Sequence, residues 1–174
     1  MTPTCVLQTP DALTRRRLLS VGAASGMLAV LPGRRGDAFA AEPPLLPAAQ
    51  SLAAELQQAL RKGSPLVVMV SLDGCPFCKL ARENYLAPLV RDEGLPVVQV
   101  DMRGPRALRN FTGAAATHDQ MVRAWGVTIA PTVLFFGRGG VEVAERLTGG
   151  YIPDFYGAYL DERLVHARKA LKTS

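Results

Sequence analysis

The sequence holds little of what metal centres and nucleic-acid interfaces are made from. It has 3 cysteines and 2 histidines in 174 residues. A four-ligand zinc site needs two ligand pairs, but one Cys-x-x-Cys is present, at Cys75 and Cys78, and His118 and His166 are far apart in the chain. Aromatic residues make up 6% of the chain, with 1 tryptophan, Trp125. No apolar run reaches the roughly twenty residues of a spanning helix, and there is no internal repeat. The formal charge of +5 is uneven: residues 1–40 hold five arginines and two acids, leaving 15 basic and 13 acidic residues, a net +2, in the remainder. That balance gives no basic stripe, so nucleic acid is not an expected partner.

Residues 1–40 read as an export signal. Thr14-Arg15-Arg16-Arg17-Leu18-Leu19 precedes an apolar stretch from Leu18 to Leu31, interrupted by Ser20, Gly22, Ser25 and Gly26. Ala38-Phe39-Ala40 then offers small residues to a signal peptidase, which places cleavage near Ala40. The paired arginines, the weakly apolar core and Arg34-Arg35 beyond it resemble a twin-arginine signal more than one for the general secretory route. The expected location is periplasmic or otherwise exported. Cys5 leaves with the signal, so an even pair of thiols enters a compartment where disulfides persist.

The rest is enough for one domain with its own core. Residues 41–50, including Glu42-Pro43-Pro44-Leu45-Leu46-Pro47, read as an extended linker, and residues 51–174 as the folded domain. Leu52, Leu56 and Leu60 predict a helix over Ser51 to Arg61, closed by Lys62-Gly63. Pro65 to Leu72 is the first strand and Pro76 to Val90 the next helix, bent near Pro88, with Leu80, Tyr85, Leu86 and Leu89 facing inward. Pro96 to Met102 is a second strand suited to a parallel, doubly covered place. Arg103 to Thr117, rich in Gly, Ala and Arg, reads as a surface loop. Asp119 to Trp125 is a short helix. Thr132 to Phe136 pairs through Gly137-Arg138-Gly139-Gly140 with a strand from Val141 to Leu147. The last helix begins at Tyr151-Ile152-Pro153-Asp154 and carries Leu160, Leu164, Ala167 and Leu171 on one face.

Cys75-Pro76-Phe77-Cys78 concentrates the chemistry. The chain leaves the first strand at Asp73-Gly74, presents Cys75, and starts a helix with Pro76 at its first position, where a missing N–H costs nothing. Cys75 then sits at the positive end of the helix dipole, which favours a thiolate. Cys78, one turn later, is placed to attack a mixed disulfide formed at Cys75. A structural disulfide and half of a metal site are the bland alternatives.

Three ordered segments then carry a resemblance to the thioredoxin-fold family, from about Ser51 to Leu171. The cysteine motif follows the first strand; Trp125-Gly126-Val127-Thr128-Ile129-Ala130-Pro131-Thr132 resembles the family's cis-proline segment; Leu147-Thr148-Gly149-Gly150-Tyr151 resembles the glycine turn before its last helix. The resemblance implies an α/β thioredoxin-like three-layer fold, with a central mixed sheet of about four strands flanked by helices. It also implies that Cys75 is the nucleophile and Cys78 the resolving thiol. Pro131 is implied to be cis beside Cys75, with Ala130 and Pro131 binding a substrate strand. No cofactor and no metal ligand set is implied. The partners implied are proteins bearing disulfides or thiols, and an upstream redox partner that could sit in a membrane.

The chain also departs from that family. Cytoplasmic thioredoxins carry a tryptophan before the first cysteine, Gly-Pro between the two, and a buried aspartate six positions before the first; here stand Gly74, Pro76-Phe77 and Met69. Asp101 is a candidate to replace that aspartate in proton transfer. Pro-Phe resembles the Pro-Tyr of glutaredoxins, without a recognisable glutathione site. His118 is expected to cap a helix or face solvent, His166 and Lys79 to face solvent, Trp125 to pack, and Arg103, Arg106 and Arg109 to lie in a solvated loop. The reading is a periplasmic thiol-disulfide oxidoreductase, favoured as a reductase because the large helical insertion of disulfide-forming enzymes and the dimerisation domain of isomerases are not recognised. The alternative is a copper-binding or copper-delivery protein using the dithiol as a soft ligand, helped by Met69 or Met102.

Overall fold

Alternation along one buried strand sets the architecture. In the computed structural model, which describes residues 45–149 and 153–173, β1 (Leu66–Ser71) is buried throughout. Leu66, Val68 and Val70 turn to one face; Val67 and Met69 turn to the other. The first face packs on α1 (Leu52–Arg61) and α4 (His118–Ala124) through Leu52, Leu56, Met121 and Val122. The second packs on α2 (Pro76–Leu80), α3 (Ala87–Glu93) and the long α5 (Pro153–Thr173), which presents Tyr156, Leu160, Leu164 and Ala167. Helices therefore cover both faces of the sheet.

The sheet has four strands in the order β2-β1-β5-β6. β2 (Val97–Asp101) runs parallel to β1, as a strand returning through a helical crossover must. β5 (Thr132–Phe136) and β6 (Leu147–Thr148) complete it antiparallel. The thioredoxin-like α/β fold expected above is the fold observed.

Several local expectations need correction. Val141 to Leu147 is not one continuous strand: Glu142 pairs with Phe136 and Leu147 with Val133, so two extra residues are looped out between them. Arg146 bridges the detour, reaching back to the Glu142 carboxylate and donating to the Trp125 carbonyl at 2.9 Å. The Arg103–Thr117 stretch is not a plain loop. It contains an antiparallel pair, β3 (Ala107–Arg109) and β4 (Ala115–Thr117). Its turn is organised by the Asn110 carboxamide oxygen, which accepts from the N–H groups of Thr112 and Ala114 at 3.0 and 2.9 Å.

The helix after the cysteines runs to Glu93 and widens into a π-type turn over Ala81–Leu86, ahead of Pro88. Pro88 has no N–H for the preceding turn, and Ala87 donates five residues back to Arg82 instead. The end of the expected linker is seated on the domain. Leu46 and Ala49 are buried, Ala49 donates to the Gln99 carbonyl, and Gln99 donates to that of Pro47, both at 2.8 Å. Two leucine- and alanine-sized apolar contacts hold this strap to the outer strand. The expected signal at residues 1–40 and the start of the linker lie outside the described residues, as do Gly150, Tyr151 and Ile152.

His118 is the largest departure. Thr117 caps α4, in a reciprocal box with Gln120, while His118 itself is fully buried. Its Nδ1 accepts from the Asp101 N–H at 3.0 Å, and its Nε2 lies 3.1 Å from the Ala49 carbonyl. That geometry puts the ring proton on Nε2 and makes the imidazole a clasp between strap, β2 and α4.

Candidate functional site

The site begins where β1 ends. Cys75 N–H donates to the Leu72 carbonyl at 3.2 Å, closing a turn whose third residue, Gly74, has φ +70°. A side chain at that position would meet the left-handed penalty, so the residue before the first cysteine is glycine for backbone reasons. Pro76 starts α2, and the Cys75 sulfur accepts the Cys78 N–H at 3.2 Å, the cap of that helix. Cys75 is half-buried; Cys78 is at 0% exposure beneath it. Both thiols are free.

The third element arrives from across the sheet. The Ala130–Pro131 peptide is cis, and the Ala130 carbonyl lies 3.9 Å from the Cys75 sulfur. This loop is pinned on both sides: Thr132 Oγ1 donates to the Ile129 carbonyl and Gly149 N–H to the Pro131 carbonyl, each at 2.7 Å. Among the described residues the Ala130 N–H meets no acceptor. Phe77 and Ile129, 50% and 53% exposed, are apolar side chains left open on the cysteine motif and on the loop.

Burial pushes the Cys78 thiol up to about 11, reinforced by its hydrogen bond with Cys75; the Leu72 backbone and the Ser71 hydroxyl act in the opposite direction. A cleft of about 950 Å³ opens beside Cys75, lined by Ser71, Lys79, Arg82, Asp101, Arg103 and Arg106 among others. Asp101 is in that lining, but its carboxylate is occupied. It accepts from Gln99 Nε2 at 2.7 Å and lies 3.4 Å from His118 Nδ1, the ring nitrogen that takes the Asp101 N–H. A partly exposed carboxylate already engaged by Gln99 is a poor substitute for a free, buried proton acceptor.

The remaining candidates separate clearly. Met69 is buried in the layer that holds Cys78, whereas Met102 packs against the opposite layer. Lys79, His166, Arg103, Arg106 and Arg109 are exposed, and Trp125 packs on Phe136 with ring centroids 5.3 Å apart. Sequence reasoning missed Ser71, Arg82 and Tyr156. Ser71 was visible as the one polar residue closing an apolar strand; Arg82 and Tyr156 carried no local signal.

No curated protein matches the chain in sequence. Solved structures similar to it include mitochondrial thioredoxin 3 of Saccharomyces cerevisiae, 16% identical over 67% of this chain and 93% of that one, TM-score 0.45. The periplasmic thioredoxin SoxS of Paracoccus pantotrophus is 27% identical over 59% of this chain and 98% of its own, TM-score 0.39. A DsbH oxidoreductase is 18% identical over 80% and 96%, TM-score 0.45. The model of the thioredoxin-like domain matches residues 52–163, and with the fold described above this chain belongs to the thioredoxin-like domain family.

Proposed function

We propose that the protein is an exported thiol-disulfide oxidoreductase that exchanges disulfides with protein substrates through Cys75 and Cys78, running as a reductase. One observation carries the reading: an accessible Cys75 sulfur caps a helix directly above a buried Cys78 and faces the Ala130 carbonyl. In this reading the Cys75 thiolate attacks a substrate disulfide, and the mixed disulfide is resolved when Cys78 attacks Cys75. The open Ala130 N–H supports pairing with an extended substrate backbone, and Phe77 with Ile129 supplies apolar contact. The twin-arginine pattern and small-residue site at Ala40 support export to the periplasm, where an upstream partner, membrane-bound in this reading, would reduce the pair. For the direction, the chain between β2 and β5 holds only the β3–β4 pair and α4, with no large helical insertion.

Brief alkylation of the reduced protein near neutral pH, followed by peptide mapping, tests the assignment: Cys75 should label first, and Cys78→Ala should trap substrates that Cys75→Ala does not. Preferential labelling of Cys78 would overturn it. A Cys75–Cys78 potential as oxidising as that of disulfide-forming enzymes would reverse the direction.

A further inference from the structure

Cys78 must give up its proton to act, yet it is buried and, among the described residues, has no carboxylate hydrogen-bonded to it. The polar residue of β1 on its side of the sheet is Ser71. Val67 and Met69 turn toward the layer holding Cys78, and the next residue in that alternating row is Ser71, 2% exposed. Its hydroxyl accepts from Arg82 Nη2 at 3.0 Å and, from the same side of the sheet, pulls the Cys78 thiol down against the effect of burial. Because the guanidinium can only donate, it fills an acceptor position on the hydroxyl and leaves the Ser71 proton for the sulfur. Arg82 lies four residues after Cys78 along the helix, so the two side chains share a face. Its Nε is buried and has no partner among the described residues.

We propose that Ser71, held by Arg82, donates a hydrogen bond to the sulfur of Cys78 as it becomes a thiolate, and so sets the rate of the resolving step. The inference rests on the oxidoreductase reading above. In the step itself, the Cys78 proton passes to water by way of the Ser71 hydroxyl, which lines the cleft. The thiolate attacks the Cys75 sulfur, a Cys75–Cys78 bond forms, and the bond from Cys75 to the substrate breaks. The substrate leaves as a thiolate that takes a proton from water; it is reduced as the dithiol is oxidised. Hydrogen bonds to charged groups are worth more than neutral ones, so the Ser71 contact strengthens as charge builds on sulfur. The charged and titratable groups facing Cys78 are Cys75 and Arg82 from its own helix and Tyr156 from α5, with Tyr85 packed on Tyr156 at 4.9 Å. Ser71 faces the layer of the reacting sulfur from β1; Arg82 acts through Ser71 and is a positioning residue.

Stopped-flow reaction with 5,5′-dithiobis(2-nitrobenzoate) separates the two steps, since attack by Cys75 releases one chromophore and resolution by Cys78 releases the second. In Ser71→Ala and Arg82→Met the second release should slow about tenfold at neutral pH. Its pH profile should move up by about one unit, while the first release stays within about twofold. Arg82→Lys, which keeps a donor and a charge, should recover part of the rate. An unchanged second phase, or equal slowing of both phases without a shifted profile, would overturn the proposal. If the native protein itself gave no second release, the oxidoreductase reading would fall, and this inference with it.

Discussion

Removing the His118 ring should unfasten one side of the domain. In His118→Ala the Ala49 carbonyl and the Asp101 N–H lose their partners, and the fully buried ring leaves a void where three elements meet. An orphaned buried polar group costs about 1–3 kcal/mol. Ala49 is at 0% exposure and carries that cost in full, whereas Asp101 is partly exposed and can recruit water. Together with lost packing, the expected destabilisation is about 2–4 kcal/mol, a large share of a typical domain stability. Urea unfolding of the full chain, followed by fluorescence of its one tryptophan, Trp125, measures this directly. Hydrogen exchange adds the location: the Ala49 and Gln99 amides, which tie the strap to β2, should lose protection before those of β1. A loss below about 1 kcal/mol, or a loss with strap protection intact, would refute the clasp.

Three further outcomes are expected. Gly74→Ala should cost about 1 kcal/mol, because φ there is +70° although open space surrounds the added carbon; an unchanged urea midpoint would contradict this. Thr117→Ala should cost about 1 kcal/mol by removing the α4 cap, with Thr117→Ser retaining most of it; equal losses in the two variants would exclude the hydroxyl as the cause. In the reduced protein Cys78 is raised from 9.0 to about 11, so the folded state holds that proton more tightly than the unfolded chain. The resulting stability should be whole below about pH 9 and lost as pH climbs toward about 11, and Cys78→Ala should abolish that fall; equal slopes in both proteins would sink the assignment.

The features legible in the sequence are those fixed by near neighbours. The cysteine motif, the apolar β1 run and the leucine spacing of α1 and α5 depend on short-range periodicity, and each element lies where that periodicity places it. The His118 ring could not be read this way. Its hydrogen-bond partners lie 17 and 69 residues away, and a histidine before a helix resembles a surface residue until those elements meet. β3 and β4 are three residues each, too short for alternation to declare itself, and a side-chain amide organises their turn. The π-type turn follows from Pro88, but sequence gives the fault and not the side on which the helix relieves it. Ser71 could be seen as an anomaly in an apolar strand; its meaning needed Arg82 from the next layer.

The strap over β2 has a consequence for how the molecule meets other chains. An outer strand with unpaired backbone groups is a template for aggregation. Here Ala49 and Pro47 satisfy both backbone groups of Gln99, and at the opposite margin β6 is only two residues long beside a looped-out segment. Both margins are thus poor templates for a stray strand. The Ala130 amide, beside the Cys75 sulfur, has no acceptor among the described residues. In the function proposed above, the arrangement that discourages self-association would leave an extended substrate strand to pair at Ala130, beside the cysteines.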